Sequence, residues 1–222
     1  MPEMRVAWRS QGTLISGNTA PRMQTVMLIP AIFVDRDGVI NANRPDHVKR
    51  WEEFEFLPGA LDALRALAGQ PAPVIVITNQ AIIGRGLAPA ALIDDIHTRM
   101  RAEVTAAGGR VDAVYLCPHR PEEGCDCRKP RPGMLLRAAR EHGLDLSRSY
   151  FIGDALSDAQ AAAAAGVTPI SVASGRGAEQ REALLADPWL RGTRIVADLA
   201  AAVEVILEAQ NHPHRPRFCA GA

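Results

Sequence analysis

Two aspartates separated by a single residue lie in the segment Phe33-Val-Asp35-Arg-Asp37-Gly-Val-Ile40. The apolar residues before Asp35 predict a short buried strand, so both carboxylates would lie where that strand ends. Gly38 would allow the backbone to turn tightly after them. Such a pair can divide two tasks, with one carboxylate acting as a nucleophile and the other as a general acid and base. The alternative is that both acids only cap a loop.

A divalent cation follows from this chemistry, because an anionic nucleophile that attacks an anionic phosphate needs a cation between the two groups. Asp35 and Asp37 therefore imply Mg²⁺, which prefers oxygen ligands. Gly153-Asp154 places a third acid at another predicted strand end, where it is a natural Mg²⁺ ligand. Asp158 lies one helical turn later, where the helix dipole alone favours an acid.

Two further segments carry groups that can stabilise negative charge. Thr78-Asn79-Gln80 follows another predicted strand, and its hydroxyl and amide groups can donate to phosphoryl oxygens. A plain turn is the alternative there. In Arg128-Lys129-Pro130, the lysine can neutralise a phosphoryl group and the arginine can make a bidentate contact to a second anion. The alternative is a solvated basic pair at the surface.

A cluster of three thiols and one imidazole predicts a metal site. Its members are Cys117, His119, Cys125 and Cys127. They are the ligand set of a closed tetrahedral Cys₃His zinc site, which leaves no open position and is therefore structural. Such a zinc ion would fix the loop that leads to Arg128. Reduced thiols without a metal are the alternative, and Cys219 is too remote in sequence to take part.

Alternating strand and helix patterns predict an α/β fold, namely a Rossmann-like three-layer α/β/α architecture with a mainly parallel sheet. The predicted strands are Ala31–Asp35, Val74–Thr78, Val111–Leu116, Tyr150–Gly153, Pro169–Val172 and Arg194–Val196. The predicted helices begin at Pro58-Gly59, Pro89, Gly133, Leu156 and Leu199. In such sheets the ligand crevice lies beyond the carboxyl ends of the strands, which is where the polar segments described above would meet.

Composition narrows the class of protein further. The 222 residues carry 25 basic and 25 acidic side chains, so no net positive charge favours nucleic acid. The longest apolar stretches are too short to span a bilayer, and no apolar signal segment begins the chain. We predict a cytoplasmic monomer without nucleic-acid or membrane partners. We expect a disordered extension at residues 1–26, a domain at 27–210 and a flexible tail at 211–222.

Four ordered motifs resemble those of the haloacid dehalogenase (HAD) superfamily of phosphatases: Asp35-Arg-Asp37-Gly-Val-Ile, Thr78-Asn79-Gln80, Arg128-Lys129-Pro130 and Gly153-Asp154. More narrowly, the chain resembles the branch of D-glycero-D-manno-heptose 1,7-bisphosphate 7-phosphatases and related histidinol phosphatases. The segments that carry this likeness are Asp35–Asn41, Phe54–Gly59, Thr78–Gly86 and Cys117–Gly133. It covers roughly residues 31–172.

The resemblance implies that Asp35 is the nucleophile of an aspartyl-phosphate mechanism. Asp37 would protonate the leaving sugar oxygen and then activate water, while Thr78 and Lys129 stabilise the phosphoryl group. The implied Mg²⁺ ligands are the Asp35 carboxylate, the Asp37 backbone carbonyl and Asp154. The implied substrate contacts are Asn43, Arg44, Pro45, Asp46, Asn79, Gln80, Ala81 and Arg128. In this branch a large cap domain is missing, and short loops shape the entrance to the site.

The implied activity is Mg²⁺-dependent hydrolysis of a small phosphorylated sugar, with a heptose bisphosphate as the leading substrate and histidinol phosphate as the second. Two non-enzyme alternatives are a receiver domain and a catalytically dead metal-binding scaffold. A receiver needs neither the second aspartate nor the cysteine loop, and every expected catalytic group is present, so the sequence favours an enzyme. Departures from the family pattern at Asp46-His47, Ile82 and Ala155 bear on the substrate rather than on phosphoryl transfer.

Overall fold

Residues 28–211 are described by the computed structural model of the protein. The extension predicted for residues 1–26 lies outside the described residues, and so do Cys219 and residues 212–222 of the predicted tail. Asn211, the first residue assigned to that tail, is instead the last residue of a helix.

Strands and helices alternate along the chain, as the sequence predicts. The strands are β1 (Ile32–Val34), β2 (Val74–Asn79), β3 (Ala113–Cys117), β4 (Tyr150–Gly153), β5 (Thr168–Val172) and β6 (Arg194–Val196). The helices are α1 (Ala60–Ala68), α2 (Ala90–Ala106), α3 (Gly133–His142), α4 (Leu156–Ala164), α5 (Gly177–Ala186) and α6 (Leu199–Asn211). Between residues 28 and 211 no helix is both long and apolar enough to cross a membrane.

The strands form one parallel sheet in the order β3-β2-β1-β4-β5-β6. At its centre, Phe33 of β1 pairs with Ile75 of β2 and with Phe151 of β4. The chain winds outward from β1 through β2 and β3 on one side, and through β4, β5 and β6 on the other. A parallel sheet forms a crevice at the carboxyl ends of its strands where the winding direction changes. The residues that follow β1, β2 and β4 surround this crevice.

Helices cover both faces of the sheet, because alternate strand residues point to opposite sides. On one face, Ile32 and Val34 pack in a core with residues of α1, α2 and α6. On the other face, Phe33 packs with residues of α3 and α4. The two cores confirm the predicted three-layer architecture. In the part of the chain that the structure describes, no inserted cap domain covers the crevice.

Helix α5 was missed in the sequence, and its packing explains why. Leu184 is its one buried residue, and it packs in a small cluster with Ala159 of α4. A helix that buries a single side chain displays no apolar stripe at helical spacing.

Replacing Leu64 by alanine tests the core beneath α1. The side chain is fully buried, so Leu64→Ala should lower the free energy of unfolding by about 2–5 kcal/mol through lost contacts and a cavity. Denaturation followed by circular dichroism measures this loss. Leu185→Ala is the control, because Leu185 is 60% exposed on α5 and should change the free energy by no more than about 0.5 kcal/mol. Equal losses in the two variants would contradict the core position of Leu64.

Candidate active site

Polar side chains from three adjacent strands meet at the carboxyl edge of the sheet. Asp35 follows β1, Thr78 lies near the end of β2, and Asp154 follows β4. Lys129 enters the same place from the loop before α3. All four residues are buried. The structure therefore brings together the four motifs that the sequence analysis identified.

Lys129 joins two carboxylates at the bottom of the crevice. Its Nζ lies 2.8 Å from Asp35 Oδ1 and 2.7 Å from Asp158 Oδ1, and it donates to the Ile77 carbonyl oxygen at 3.0 Å. Burial alone would lower the pKa of Lys129, but the charges of Asp158 and Asp35 raise it above its usual value. The lysine therefore remains a cation beside Asp35, where it can stabilise negative charge on a group bound to that carboxylate.

The side chain of Asn79 holds the loop that carries this lysine. Asn79 Nδ2 donates to the Lys129 carbonyl oxygen at 3.2 Å, and the Lys129 N–H donates to Asn79 Oδ1 at 3.1 Å. Both polar atoms of the Asn79 side chain thus bond to the backbone of the loop, and the end of β2 fixes the position of Lys129.

Asp154 is held by donors from two loops. Its Oδ2 accepts hydrogen bonds from Asn43 Nδ2 at 3.2 Å and from the Arg176 backbone N–H at 2.7 Å. The backbone of Gly38 packs so closely that a Cβ at this position would clash with the Asp154 carboxylate. Burial, followed by the nearby charge of Asp158, raises the pKa of Asp154 to about 6.

Asp158 both caps a helix and contributes to the site. Its Oδ2 accepts from the Ala155 N–H at 3.0 Å, which stabilises the start of α4 as its place in the first turn predicts. A Cβ at Gly153 would clash with this carboxylate. The ion pair with Lys129 was not predicted, because it joins α4 to the loop before α3, and the two residues are far apart in sequence.

The carboxylates of Asp35, Asp154 and Asp158 form a cluster that could hold a divalent cation. One oxygen atom from each lies within 4.8 Å of the others. Burial raises the pKa of Asp35 well above its usual value, although the ion pair with Lys129 opposes the shift. Three buried carboxylates beside one lysine carry excess negative charge, which a divalent cation would offset. The all-oxygen donor set fits Mg²⁺.

Asp37 has a different environment, nearer the mouth of the crevice. Its side chain is 26% exposed, whereas that of Asp35 is 10% exposed. The Arg36 guanidinium donates to both Asp37 carboxylate oxygens at 2.9 Å, and Asn41 and Gln80 donate one hydrogen bond each. Burial alone would raise the pKa of Asp37, but the charge of Arg36 and these hydrogen bonds lower it. The two aspartates of the motif thus have opposite pKa shifts.

Gln80 also orients the hydroxyl group of Thr78. Gln80 Nε2 donates to Thr78 Oγ1 at 2.9 Å, so the hydroxyl proton remains available for donation to another acceptor. The next residue, Ala81, is buried. Ile82, a departure from the family pattern, lies in a core cluster with Ile93 of α2.

The loop after Asn43 lies at the surface. Arg44 and Asp46 form an exposed ion pair at 3.1 Å, and Lys49 binds the same Asp46 carboxylate at 2.6 Å. Pro45 is also exposed. Of this predicted substrate-contact segment, the structure brings Asn43 to the carboxylate cluster and places Arg44, Pro45 and Asp46 on the exposed part of the loop.

The predicted cysteine and histidine ligands come together after β3. Cys117 Sγ lies 3.6 Å from both His119 Nδ1 and Cys125 Sγ. Cys127 Sγ lies 3.2 Å from His119 Nδ1 and 3.4 Å from Cys125 Sγ. A tetrahedral zinc ion would separate such atoms by about 3.6–3.8 Å, given metal–ligand bonds of about 2.0–2.3 Å. The four side chains therefore have the type and spacing of a metal site.

This cluster also fixes the start of the lysine loop. Arg128 follows Cys127 directly, and its guanidinium donates to the His119 carbonyl oxygen at 3.4 Å. A Cβ at Gly133 would clash with the Asp126 carbonyl group, so the chain passes very close to itself before α3. A metal in the cluster would stabilise this packed loop.

The sequence analysis predicted Gln80 as a site residue but missed Arg36 and His97. Arg36 lies between the two aspartates, and its type and position gave no signal of burial. His97 lies on the buried face of α2 with Ile93, Ile96 and Met100. A histidine at helical spacing among these apolar residues could have indicated a buried polar contact. Its contact with Arg36 could not be foreseen, because it joins distant segments.

Replacing Asp158 by alanine tests the buried ion pair. Asp158→Ala should lower the free energy of unfolding by about 1–3 kcal/mol, because it removes a helix cap and one of the two carboxylates that bind Lys129, while Asp35 stays paired with that lysine. Denaturant titration measures the change. Asp62→Ala is the control, since Asp62 is 71% exposed and pairs with an exposed Arg65, and it should cost at most about 1 kcal/mol. An Asp158→Ala variant as stable as the control would contradict the role of the ion pair.

Known proteins are similar to this chain in sequence. The sequence matches the family model of haloacid dehalogenase-like hydrolases over residues 5–163. It is 39% identical over 177 residues to the D-glycero-beta-D-manno-heptose-1,7-bisphosphate 7-phosphatase of Pseudomonas aeruginosa, covering 80% of this chain and 97% of that protein. It is 42% identical to the protein of the same name from Bordetella bronchiseptica, with the same coverage of each chain.

Solved structures agree with these sequence relationships. The D,D-heptose 1,7-bisphosphate phosphatase of B. bronchiseptica, crystallised with magnesium and phosphate, has a TM-score of 0.75 and 41% identity, covering 81% of this chain and 99% of that chain. The phosphatase of that name from Burkholderia thailandensis has a TM-score of 0.62 and 33% identity, covering 80% and 98%. The resemblance drawn from the motifs is confirmed, and the chain belongs to the haloacid dehalogenase-like hydrolase family.

Proposed function

We propose that the protein is a Mg²⁺-dependent phosphatase that removes the 7-phosphate of D-glycero-D-manno-heptose 1,7-bisphosphate through an aspartyl-phosphate on Asp35. One observation carries the reaction: buried Asp35 lies beside the Lys129 cation, with Asp37 two residues later at the mouth of the same crevice. The substrate is supported by relatives named for this activity, which are 39% and 42% identical over nearly their whole length.

In the first step, an Asp35 carboxylate oxygen attacks phosphorus while the bond to the sugar oxygen breaks. The Thr78 hydroxyl group donates to a phosphoryl oxygen, and the nearby charge of Lys129 stabilises the phosphoryl group. Asp37 gives a proton to the departing sugar oxygen. Although the pKa of Asp37 is lowered in the free protein, a bound phosphate brings negative charge next to this carboxyl group, and that raises its pKa and favours proton uptake.

In the second step, Asp37 is a carboxylate again and takes a proton from a water molecule. That water attacks the phosphorus of the aspartyl-phosphate, inorganic phosphate forms, and the Asp35 carboxylate is restored. Arg36, Asn41 and Gln80 keep the Asp37 carboxylate oriented in both steps, since all three side chains donate hydrogen bonds to it.

The metal ions would be held by residues of this chain in two places. We assign Mg²⁺ to the Asp35 carboxylate, the Asp37 backbone carbonyl and Asp154, with charge neutralisation between nucleophile and phosphate as its contribution. We assign a structural Zn²⁺ to the four-residue cluster of Cys117, His119, Cys125 and Cys127, which offers no open coordination position.

Substrate selection is assigned to the rim of the crevice. Asn43, the exposed loop Arg44–Asp46 and Arg128 would contact the sugar and its second phosphate, with Asn79, Gln80 and Ala81 forming the inner wall. Histidinol phosphate is the second candidate, because it would require the same core and different rim contacts. Monomeric state, cytoplasmic location and the lack of a nucleic-acid partner stay predictions from the sequence.

Asparagine at position 35 tests the nucleophile. Asp35→Asn should lower phosphate release from the substrate by at least about a thousandfold, because an amide cannot form the aspartyl-phosphate. Phosphate release is measured with Mg²⁺ on both anomers of the heptose bisphosphate, on histidinol phosphate and on a DNA 3′-phosphate. Asp95→Asn is the control, since Asp95 is exposed on α2 and should leave the activity unchanged.

The panel separates the candidate substrates. Fast release of phosphate from one anomer of the heptose bisphosphate supports the proposed function. Release from histidinol phosphate alone would keep the reaction and overturn the substrate. An Asp35→Asn variant with wild-type activity would overturn the aspartyl-phosphate mechanism.

Serine at position 125 tests the zinc cluster. Cys125→Ser should reduce the bound zinc from about one ion per chain to a small fraction and lower the Tm by at least about 5 °C, because the loop loses its metal crosslink. Mass spectrometry of the metal and calorimetry measure the two effects. Cys219→Ser is the matched control and should keep the metal. Wild-type protein that contains no zinc after expression in zinc-supplemented medium would contradict the assignment.

A further inference from the structure

Arg36 is a fully buried arginine whose guanidinium contacts both Asp37 and His97. Its relative exposure is 0%, and it is among the largest fully buried side chains between residues 28 and 211. Two of its nitrogens, Nε and Nη2, donate to the Asp37 carboxylate, and the third, Nη1, lies 3.1 Å from His97 Nε2 on α2. A buried guanidinium must satisfy its donors, so this contact is part of what holds it in place.

The chemistry of the pair determines the protonation state of His97. A guanidinium can only donate hydrogen bonds, so Nε2 must accept and the ring proton must lie on Nδ1. Burial, followed by the charge of Arg36, lowers the pKa of His97 to about 3, which agrees with a neutral ring. His97 is itself buried in α2 and does not reach the crevice through any of its described contacts.

We propose that His97 is a positioning residue for the acid–base step: it fixes the Arg36 guanidinium through Nε2, and Arg36 in turn fixes the carboxylate of Asp37. The inference rests on the proposed function, in which Asp37 transfers the proton. It extends the site to α2, a helix that none of the four sequence motifs includes.

A neutral acceptor suits this position better than an acid. A carboxylate at position 97 would compete with Asp37 for the guanidinium and add a buried negative charge. An apolar side chain would remove the acceptor that Arg36 Nη1 has in His97, and the guanidinium would then shift toward other acceptors. The histidine accepts one hydrogen bond and leaves the charge of Arg36 directed toward Asp37.

Two amide variants isolate the hydrogen bond. His97→Gln places an acceptor oxygen at about the reach of Nε2, whereas His97→Asn carries the same amide on a side chain that ends too short. Both bury a similar polar group, so they differ chiefly in reach. Ile93→Ala is the packing control, because Ile93 lies one turn earlier on the buried face of α2 and has no side-chain acceptor for the Arg36 guanidinium.

Two substrates distinguish a loss of Asp37 positioning from a general disruption of the active site. A sugar phosphate has a poor leaving group that needs a proton, whereas p-nitrophenyl phosphate has a good leaving group that departs without one. The ratio kcat/KM reports the steps up to the departure of that group. His97→Asn should lower kcat/KM for the sugar phosphate by about tenfold to a hundredfold and for p-nitrophenyl phosphate by less than about threefold. Asp37→Asn should show the same selectivity, with a larger loss.

The kcat/KM values of the variants on the two substrates decide whether His97 positions Arg36 and Asp37. A selective loss in His97→Asn, restored in His97→Gln and absent in Ile93→Ala, supports the inference. An equal loss on both substrates, or no loss on either, overturns it. Nitrogen-15 NMR of the wild-type ring at pH 7 gives a second readout that does not depend on activity, and a proton on Nε2 would also overturn the inference. Failure of the wild-type protein to hydrolyse any phosphate would instead overturn the proposed function.

Discussion

The candidate active site buries more negative than positive charge, and this imbalance constrains the structure around it. Asp35 and Asp154 follow β1 and β4, Asp158 lies in the first turn of α4, and the three carboxylates are buried together. Lys129 pairs with Asp35 and Asp158. Buried carboxylates repel one another and lose their hydration, so they remain ionised only where cations and donors compensate them. Much of the surrounding architecture serves this need: Asn79 fixes the lysine loop, and close glycine backbone makes room for the carboxylates.

The two aspartates of the first motif have the same side chain but opposite pKa shifts, because their environments differ. Asp35 is enclosed with other acids, and burial raises its pKa. Asp37 is nearer solvent and held by Arg36, which lowers its pKa. Two identical side chains with different surroundings can take different roles, one as nucleophile and the other as acid and base. A divalent cation beside Asp35 would favour the ionised form of this carboxyl group, and only that form can act as a nucleophile.

The cysteine cluster and α2 support the site from outside the sheet edge. The cluster of Cys117, His119, Cys125 and Cys127 closes the loop between β3 and α3, and Lys129 stands at the end of that loop. In a chain without a cap domain over residues 28–211, short loops must keep their shape without help from a second domain. His97 of α2 would serve Asp37 in the same way, through the buried guanidinium of Arg36.

The sequence by itself determined the fold class, the six strands and every long helix except α5, and it singled out the polar residues that follow the strands, because periodic apolar patterns and strand-end acids are local features. Helix α5 was not predicted, because Leu184 is its one buried residue and the helix has no apolar stripe. The tertiary structure alone decided that Asp158 pairs with Lys129, that Asn79 bonds to a distant backbone, and that His97 meets Arg36. These contacts join segments far apart in sequence, and only the folding of the sheet brings their side chains within hydrogen-bonding distance.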